Sequence, residues 1–243
     1  MMINKIKFST FVLSGLLCTS LLYGAGESSF YKSGFYTGAL LGYSWMNSTI
    51  KENVYIPAFN NDTGKGHKSD SGFVGDLILG YRHFFENKLL LGLELGFSLD
   101  NNEVNENTYL VGDFYWSETK YKAPFKFTPA IVFGNQFTQK LLGFVKLGVS
   151  IARFKGSHEL YNGNASEGSE SFKATRNGLM AAIGAEYALT DQISTLGIIS
   201  YQKFSTIRMS FQDPSNGGVP LSANTTSLNP EYVTAKVGVV YRF

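Results

Sequence analysis

The sequence predicts an all-β fold, namely an eight-stranded antiparallel transmembrane β-barrel of the outer-membrane type. Three observations favour it. Eight segments alternate apolar and polar residues with the period of two that is typical of strands. The connections between these segments alternate between three residues and roughly 20 to 26 residues, which is unusual in a compact soluble domain. Aromatic residues collect at the strand ends, where the edges of an apolar band would lie.

The composition is consistent with one folded domain rich in short aromatic strands. Of the 243 residues, 44% are hydrophobic, 15% aromatic and 16% charged, which excludes a disordered chain. The chain has 21 basic and 19 acidic residues, and two of the basic ones, Lys5 and Lys7, lie in a leader that we expect to be removed. The mature chain is then neutral, so charge gives no reason to expect a nucleic-acid partner.

Residues 1–25 are predicted to be a signal peptide, and residues 26–243 the barrel domain. The first seven residues include two lysines and no acid, residues 8–22 are almost wholly apolar, and small residues follow at 24–26. An apolar run of about 15 residues is short for a membrane-spanning helix, which needs about 20. Cleavage after Gly24 or Ala25 would remove the only cysteine, Cys18, and a secreted chain without cysteine favours a bacterial envelope protein.

The clearest strand covers residues 89–100, where the odd positions are purely apolar and the even positions mix glycine, serine and carboxylates. The same alternation recurs in seven further segments: 35–45, 73–85, 125–136, 145–151, 179–187, 194–204 and 233–243. The facing of 194–204 stays open. An apolar outer face suits a membrane barrel if the polar face lines an enclosed interior. Periodicity alone leaves a soluble barrel of the lipocalin kind as an alternative.

The connections place all short turns at one end of the barrel. Turns of three residues are predicted at 86–88, 138–140 and 190–192. The long connections cover about 46–71, 101–122, 155–176 and 205–231, and they are rich in Asn, Asp, Glu, Gly and Ser. This arrangement predicts periplasmic turns and four long extracellular loops. The strand ends carry the aromatic residues expected of two girdles: Tyr43, Trp45, Phe84, Phe85, Phe125, Phe127, Tyr241 and Phe243.

Both ends of the expected barrel resemble a known family. The segment 34–45, GFYTGALLGYSW, resembles the first strand of the small eight-stranded outer-membrane proteins, the class that includes the OmpA transmembrane domain, OmpX and opacity-type surface proteins. The segment 237–243, VGVVYRF, resembles the terminal strand by which such proteins engage the barrel-assembly machinery, with Tyr241 and Phe243 as the signal. The resemblance implies a barrel without a further domain, surrounded by the outer-membrane lipid of a Gram-negative bacterium.

The polar face carries eight charged residues that we expect to face the lumen: Asp76, Arg82, Glu94, Lys126, Lys146, Glu186, Lys236 and Arg242. The interior of an eight-stranded barrel is just wide enough for side chains, so each charge must pair or contact water. The charges either form a salt-bridge plug or line a narrow ion path. The resemblance implies a plug centred on Glu94, Lys146 and Arg242.

No motif predicts catalysis, a cofactor or a metal site. The three histidines, His67, His83 and His158, are far apart, and the His-x-Ser pair of barrel lipid A deacylases is missing. Asp70 near His67 is slender evidence for an outer-membrane protease. Asp100, Glu103 and Glu106 lack the regular spacing of a calcium site, so they are interpreted as solvated loop charge. We expect a non-enzymatic protein, with a barrel-embedded lipid-modifying enzyme as an alternative.

Three functions remain open from the sequence. The long loops could bind a host surface, a matrix component or another cell; the barrel could maintain envelope integrity; or it could form a narrow pore for ions or solutes. Two groups of loop residues are either binding anchors or strand continuations above the membrane: Tyr55, Ile56 and Phe59, and Tyr109, Leu110, Phe114, Tyr115 and Trp116.

Overall fold

The computed structural model describes residues 30–56, 60–109, 115–162, 165–212 and 220–243. These residues form eleven strands: β1 Gly34–Ile56, β2 Asn60–Phe84, β3 Leu89–Asp100, β4 Glu103–Tyr109, β5 Tyr115–Lys122, β6 Phe125–Gln136, β7 Leu141–Asn162, β8 Ala165–Ala188, β9 Ile193–Phe204, β10 Ile207–Gln212 and β11 Pro220–Arg242. Within these ranges no helix is long and apolar enough to cross a membrane. The predicted leader, 1–25, lies outside the described residues.

Eight of the strands close into a ring. The order is β1, β2, β3, β6, β7, β8, β9 and β11, and every neighbouring pair is antiparallel. The closing pair joins β1 to β11, from Tyr36 opposite Arg242 to Asn53 opposite Thr225. Closure removes the free sheet edges that would otherwise pair with other chains. The eight-stranded antiparallel barrel predicted from the sequence is confirmed.

The three short turns lie together at one end of the ring, here called the turn end. Two of them share one device, in which a threonine hydroxyl accepts a hydrogen bond from the backbone N–H three residues later. Thr138 accepts from Leu141 at 3.0 Å, and Thr190 accepts from Ile193 at 3.0 Å. The remaining turn uses Lys88 with a positive φ of 65°. The short turns therefore occur where the sequence predicts them.

At the opposite end, here called the loop end, the strands continue well beyond the ring. Most of each long connection is strand: β4, β5, β10 and the outer parts of β1, β2, β7, β8 and β11. Inward side chains at this end form an apolar cluster, here called the cap cluster: Met46, Ile50, Val104, Tyr121, Ala123, Ala152, Phe154, Phe204, Ile207, Leu228 and Tyr232. We call the walls around it the cap. The outward side chains thus change from apolar around the ring to polar around the cap, whereas the ring interior contains charges among buried apolar residues such as Leu40, Val132 and Phe144.

The loop aromatics fall partly within these cap strands. The backbones of Tyr55, Ile56, Tyr109, Tyr115 and Trp116 lie in β1, β4 and β5, as strand continuations would. Phe59, Leu110 and Phe114 lie outside the described residues.

The outer face of the ring is apolar and exposed. Leu41 is 73% exposed, Leu93 66% and Val237 68%. A soluble barrel would not expose such a continuous apolar band to water. Exposed aromatic rings edge the band at both ends, including Trp45, Phe73 and Phe125 towards the cap and Phe35, Phe85, Phe137 and Phe243 towards the turns. Phe84 was expected in the girdle, but it stands at an inward position and its ring packs 5.8 Å from Tyr31.

The facing of β9, which the sequence left open, follows from its pairing. Leu196 and Ile198 are buried inside the barrel, whereas Ile199 and Tyr201 are exposed on the outer band. Both faces of this strand contain large apolar residues, and for that reason the alternation is weak.

Candidate functional site

The candidate site is the charged interior of the ring. All eight predicted charges lie there, together with Asp100, and each side chain is no more than 9% exposed. Each of the nine residues has an even number, because the inward positions of the ring strands are the even-numbered ones. The ion pairs among them occur at three levels between the turn end and the cap.

At the turn end, one carboxylate serves two guanidinium groups. Glu186 is fully buried and bonds to Arg82 through Oε2 and to Arg242 through Oε1, the latter at 2.9 Å. The hydroxyl of Ser194 donates to the same Oε1 at 2.5 Å. The guanidinium of Arg82 also stacks 3.9 Å from the ring centre of Tyr36. We call Arg82, Glu186 and Arg242 the turn-end cluster.

The middle level contains two ion pairs. The ammonium of Lys146 lies 2.5 Å and 2.7 Å from the two carboxylate oxygens of Glu94, and the hydroxyl of Tyr36 donates to Glu94 Oε2 at 2.7 Å. Lys236 of β11 bonds to Asp76 of β2, on the two strands that flank β1. Tyr36 therefore connects this level to the turn-end cluster.

The third level lies directly beneath the cap cluster. Lys126 donates to Asp100 Oδ2 at 2.6 Å, and the hydroxyl of Ser44 donates to the same oxygen at 3.0 Å. The ammonium of Lys126 also lies 3.5 Å from the ring centre of Tyr232, a member of the cap cluster. This cation-π contact joins the charged interior to the apolar interior.

Two expectations about these charges are wrong. Glu94 and Lys146 do pair, but Arg242 bonds to Glu186 at the turn end, because Arg242 is the last residue of β11 and stands at the level of Tyr36. Asp100 was interpreted as solvated loop charge, yet it is 6% exposed and paired. The sequence did contain a signal for Asp100, since it lies six residues after Glu94 on the same strand and therefore on the same inward face.

Between the ion pairs lies a chamber of about 40 Å³, which has room for about three waters. Two buried acceptors that line it, Asp76 Oδ1 and Gln202 Oε1, have no protein partner. Buried oxygens of this kind are usually satisfied by water. We expect a small water cluster here.

The remaining chemistry-bearing residues of the described ranges do not converge. His67 contacts Thr49 at 3.1 Å, Asp70 accepts a bond from the backbone of Glu103 at 2.9 Å, and His83 packs on Phe85. Glu103 pairs with Lys122, and the side chain of Glu106 lies outside the described part. Over the described ranges no three His, Cys, Asp or Glu side chains group as metal ligands.

Comparison with known proteins agrees with this geometry. The family model described as outer membrane protein beta-barrel domain matches residues 11–243. The chain belongs to this family. As an outer-membrane barrel of a Gram-negative bacterium, it has its apolar band in the lipid of the outer membrane, its turn end in the periplasm and its cap outside the cell.

Two solved outer-membrane barrels, OmpT and OprG, share the fold at low identity. The outer membrane protease OmpT from Escherichia coli superimposes with a TM-score of 0.51 at 12% identity, covering 88% of this chain and 100% of that one. OprG from Pseudomonas aeruginosa gives 0.50 at 16% identity, covering 89% and 99%. Neisserial surface protein A gives 0.41 at 12% identity, covering 87% and 98%. A search of curated protein sequences finds no match.

Tyr31, a residue that the sequence reasoning missed, packs inside the periplasmic mouth of this outer-membrane barrel. Tyr31 precedes β1 and is 3% exposed. Its hydroxyl lies 2.8 Å from the backbone oxygen of Glu186 and 3.1 Å from that of Lys140. Its ring lies 4.8 Å from the guanidinium of Arg242. The segment before the first strand therefore covers part of the turn-end cluster, while Arg82 and Arg242 also line a pocket that remains at this end.

We expect Tyr31→Phe to lower the free energy of unfolding by about 1 kcal/mol, since it removes a hydroxyl bonded to buried carbonyl oxygens. Urea unfolding in detergent micelles measures the change. Lys32→Ala is the matched control, because Lys32 is the adjacent residue and is exposed. Equal stability of Tyr31→Phe and the wild-type protein would show that the hydroxyl contributes nothing.

In the cap, His158 is predicted to make stability depend on pH. His158 is 6% exposed, and its Nδ1 lies 2.8 Å from the hydroxyl of Thr119. Burial lowers the pKa of His158 to about 4 from its usual 6.5, although Glu159 opposes this shift. The unfolded chain then binds the proton more tightly than the folded one, so stability is complete above pH 6.5 and declines until pH 4. The loss approaches about 3 kcal/mol.

The difference between the wild-type protein and His158→Gln isolates this contribution. Gln keeps a hydrogen-bonding group towards Thr119 but does not titrate. We expect the urea midpoint of the variant to fall less steeply than that of the wild-type protein between pH 6.5 and 4. Parallel curves would assign the pH dependence to other groups.

Proposed function

We propose that this protein is a closed, non-enzymatic surface barrel that acts through its cap, by adhesion to a host surface, a matrix component or another cell. The observation that supports this is the cap cluster. Because buried apolar side chains from seven different strands meet above the membrane, the four extracellular hairpins are held as one stiff wall. A stiff, preorganised surface loses little conformational entropy on binding.

The filled interior favours surface binding over transport. Through the described residues, the turn-end cluster, the two middle ion pairs and the Lys126–Asp100 pair stand one above another, and the cap cluster follows. The chamber of about 40 Å³ has no room for an ion with its water shell. We expect planar bilayers containing the protein to show no single-channel steps. Steps that change with Glu94→Gln would support the narrow-pore alternative.

A non-enzymatic role is supported by the separation of acids and bases. OmpT is described as a protease, but a likeness at 12% identity concerns the fold alone. In the described part of this chain, His67 and Asp70 form bonds with Thr49 and the Glu103 backbone instead of with each other. A general base would need hydrogen-bond reach to its partner.

Shortening the hairpins at known register pairs tests the proposed adhesion. Residues 51–65, 105–120, 157–171 and 208–227 can each be replaced by Asn-Gly, a preferred two-residue turn. The replacements join Ile50 to Gly66, Val104 to Tyr121, Gly156 to Phe172 and Ile207 to Leu228, which face each other in the sheet. Every member of the cap cluster is kept. A retained shift between boiled and unboiled gel bands shows that the ring still folds.

We expect cells carrying the wild-type chain to bind cultured epithelial cells or immobilised matrix proteins, and cells carrying the shortened chain to lose this binding. Detergent sensitivity of the cells should stay unchanged. The reverse result, with binding unaffected and detergent sensitivity increased, would favour the envelope-integrity role.

The carboxy-terminal strand is proposed to engage the barrel-assembly machinery. Phe243 is 75% exposed, and its ring packs edge-on against Tyr241 at 5.2 Å on the outer face. Both aromatic side chains are therefore accessible to a partner protein before β11 pairs with β1 and closes the barrel. Phe243→Ala should reduce the amount of folded barrel in cells without changing the unfolding of barrel refolded in detergent.

A further inference from the structure

Four basic residues form a patch on the outer face of the cap, across three neighbouring strands. Lys122 of β5 stands opposite Lys155 of β7, and Lys155 stands opposite Lys173 of β8. Arg153 is the next outward residue below Lys155. All four side chains are exposed. We call Lys122, Arg153, Lys155 and Lys173 the basic row.

The charge of this row is mostly uncompensated by the protein. Lys122 pairs with Glu103 at 2.6 Å, but within the described ranges the side chains of Arg153, Lys155 and Lys173 form no hydrogen bond or ion pair. Like charges directly opposite each other destabilise a sheet. An arrangement that repels itself in isolation is favourable when an anion lies against it.

Apart from Glu103, the acids on the outer face of β5 and β7 are engaged elsewhere. Glu118 and Glu159 face each other four residues further from the membrane. Glu118 bonds to Lys120 at 2.9 Å, and Glu159 accepts the hydroxyl of Tyr161 at 2.5 Å. The row therefore presents a cationic surface at its own level.

That level lies just above the apolar band. On β7 the last outward apolar residue is Ile151, and Arg153 and Lys155 follow it by two and four residues, or about 7 and 13 Å along the strand. On the neighbouring strand, Asn177 stands opposite Ile151 and Lys173 stands opposite Lys155. Immediately outside the hydrocarbon lie the lipid head groups, where basic residues attract anionic lipids.

We propose that the basic row binds the phosphate groups of an outer-leaflet glycolipid. Arg153 can hold one phosphate with two parallel N–H bonds, whereas Lys155 and Lys173 act as point charges above it. The bound lipid relieves the repulsion within the row and fixes the height of the cap above the bilayer. This inference rests on the membrane placement and is independent of the proposed adhesion.

Binding of lipid A to the folded barrel in detergent micelles tests the proposal. The probes are lipid A with both phosphates, the same lipid without phosphates, and inorganic phosphate alone. We expect tight binding of the phosphorylated lipid only, with no displacement by millimolar inorganic phosphate. Equal binding of the dephosphorylated lipid, or full displacement by inorganic phosphate, would overturn a phosphorylated lipid as the occupant.

The test variant is the triple change Arg153→Gln, Lys155→Gln and Lys173→Gln. It should bind phosphorylated lipid A roughly a hundredfold more weakly, since each basic residue near an anionic lipid surface contributes about a factor of five. The control triple, Lys51→Gln, Lys65→Gln and Lys68→Gln, removes three exposed charges from β1 and β2. Lys51 lies six residues beyond Trp45, or about 20 Å along the strand.

We expect the control triple to bind the lipid like the wild-type chain, with both triples showing the gel shift of a folded barrel. Unchanged affinity of the Arg153, Lys155 and Lys173 variant would overturn the proposal. An equal loss in the control triple would do the same, because it would reduce the effect to net charge.

Discussion

Glu186→Gln is expected to lower the free energy of unfolding by about 3–5 kcal/mol, the loss typical of removing one member of a buried ion pair. Glu186 is fully buried and is the only acid bonded to Arg82 and Arg242 among the described residues. The amide keeps the size of the side chain but leaves two buried guanidinium groups without a counter-charge. Urea unfolding in micelles, followed by tyrosine and tryptophan fluorescence, measures the loss.

The matched control is Asp191→Asn, which removes an exposed acid from the same end of the barrel. It should change stability by less than about 0.5 kcal/mol, as exposed substitutions usually do. In the double variant Arg82→Met with Glu186→Gln, part of the loss should be recovered, because one of the orphaned cations is gone. Similar midpoints for Glu186→Gln and Asp191→Asn would mean that the turn-end cluster is solvated.

Phe154→Ala is expected to open the cap while the ring stays folded. Phe154 is fully buried in the cap cluster, with its ring 5.3 Å from Phe204 and 6.4 Å from Tyr121. Replacing a buried phenylalanine by alanine costs about 3–5 kcal/mol through the lost burial and the cavity. Hydrogen exchange at the cap amides should become roughly a hundredfold faster or more, since every 1.4 kcal/mol is a factor of ten.

Thr175→Ala, an exposed change on the neighbouring strand, should leave cap exchange unchanged. In Phe154→Ala the amides of the ring should retain their protection, and the gel shift between boiled and unboiled samples should persist. Loss of protection throughout the chain would show that cap and ring unfold as one unit.

The sequence predicts the face of the strand on which each charge lies, but it does not predict the partner of that charge. The face on which a residue lies depends only on its position within its own strand, so the alternation alone places residues such as Glu94 and Lys146 on the inward face. The partner of each charge depends on the stagger between strands that are distant in sequence, as with Arg242 and Glu186. Asp100 was missed because three polar residues follow it and resemble the start of a loop.

The cap was harder to foresee for a related reason. Below the membrane surface the outward residues are apolar, and they give the strongest sequence signal. Above it the outward residues face water, as Asn47 and Thr49 do, while Met46 and Ile50 turn inward. The alternation continues above the membrane, but there the outward residues are polar and the inward ones apolar. A search for an apolar outer face therefore ends at the lipid boundary. Tyr31 gave no signal, because it lies before the first alternating segment.

The charged ring interior and the apolar cap above it give the molecule two parts that can diverge at different rates. In the ring, the thickness of the lipid bilayer constrains the length of the strands, and the long-range ion pairs constrain the residues inside it. The hairpin ends beyond the cap cluster are constrained only by register, so residues added or removed symmetrically in pairs leave every side chain on its original face. In related bacteria the distal hairpins should therefore differ in length in steps of two residues, while the ring remains nearly constant.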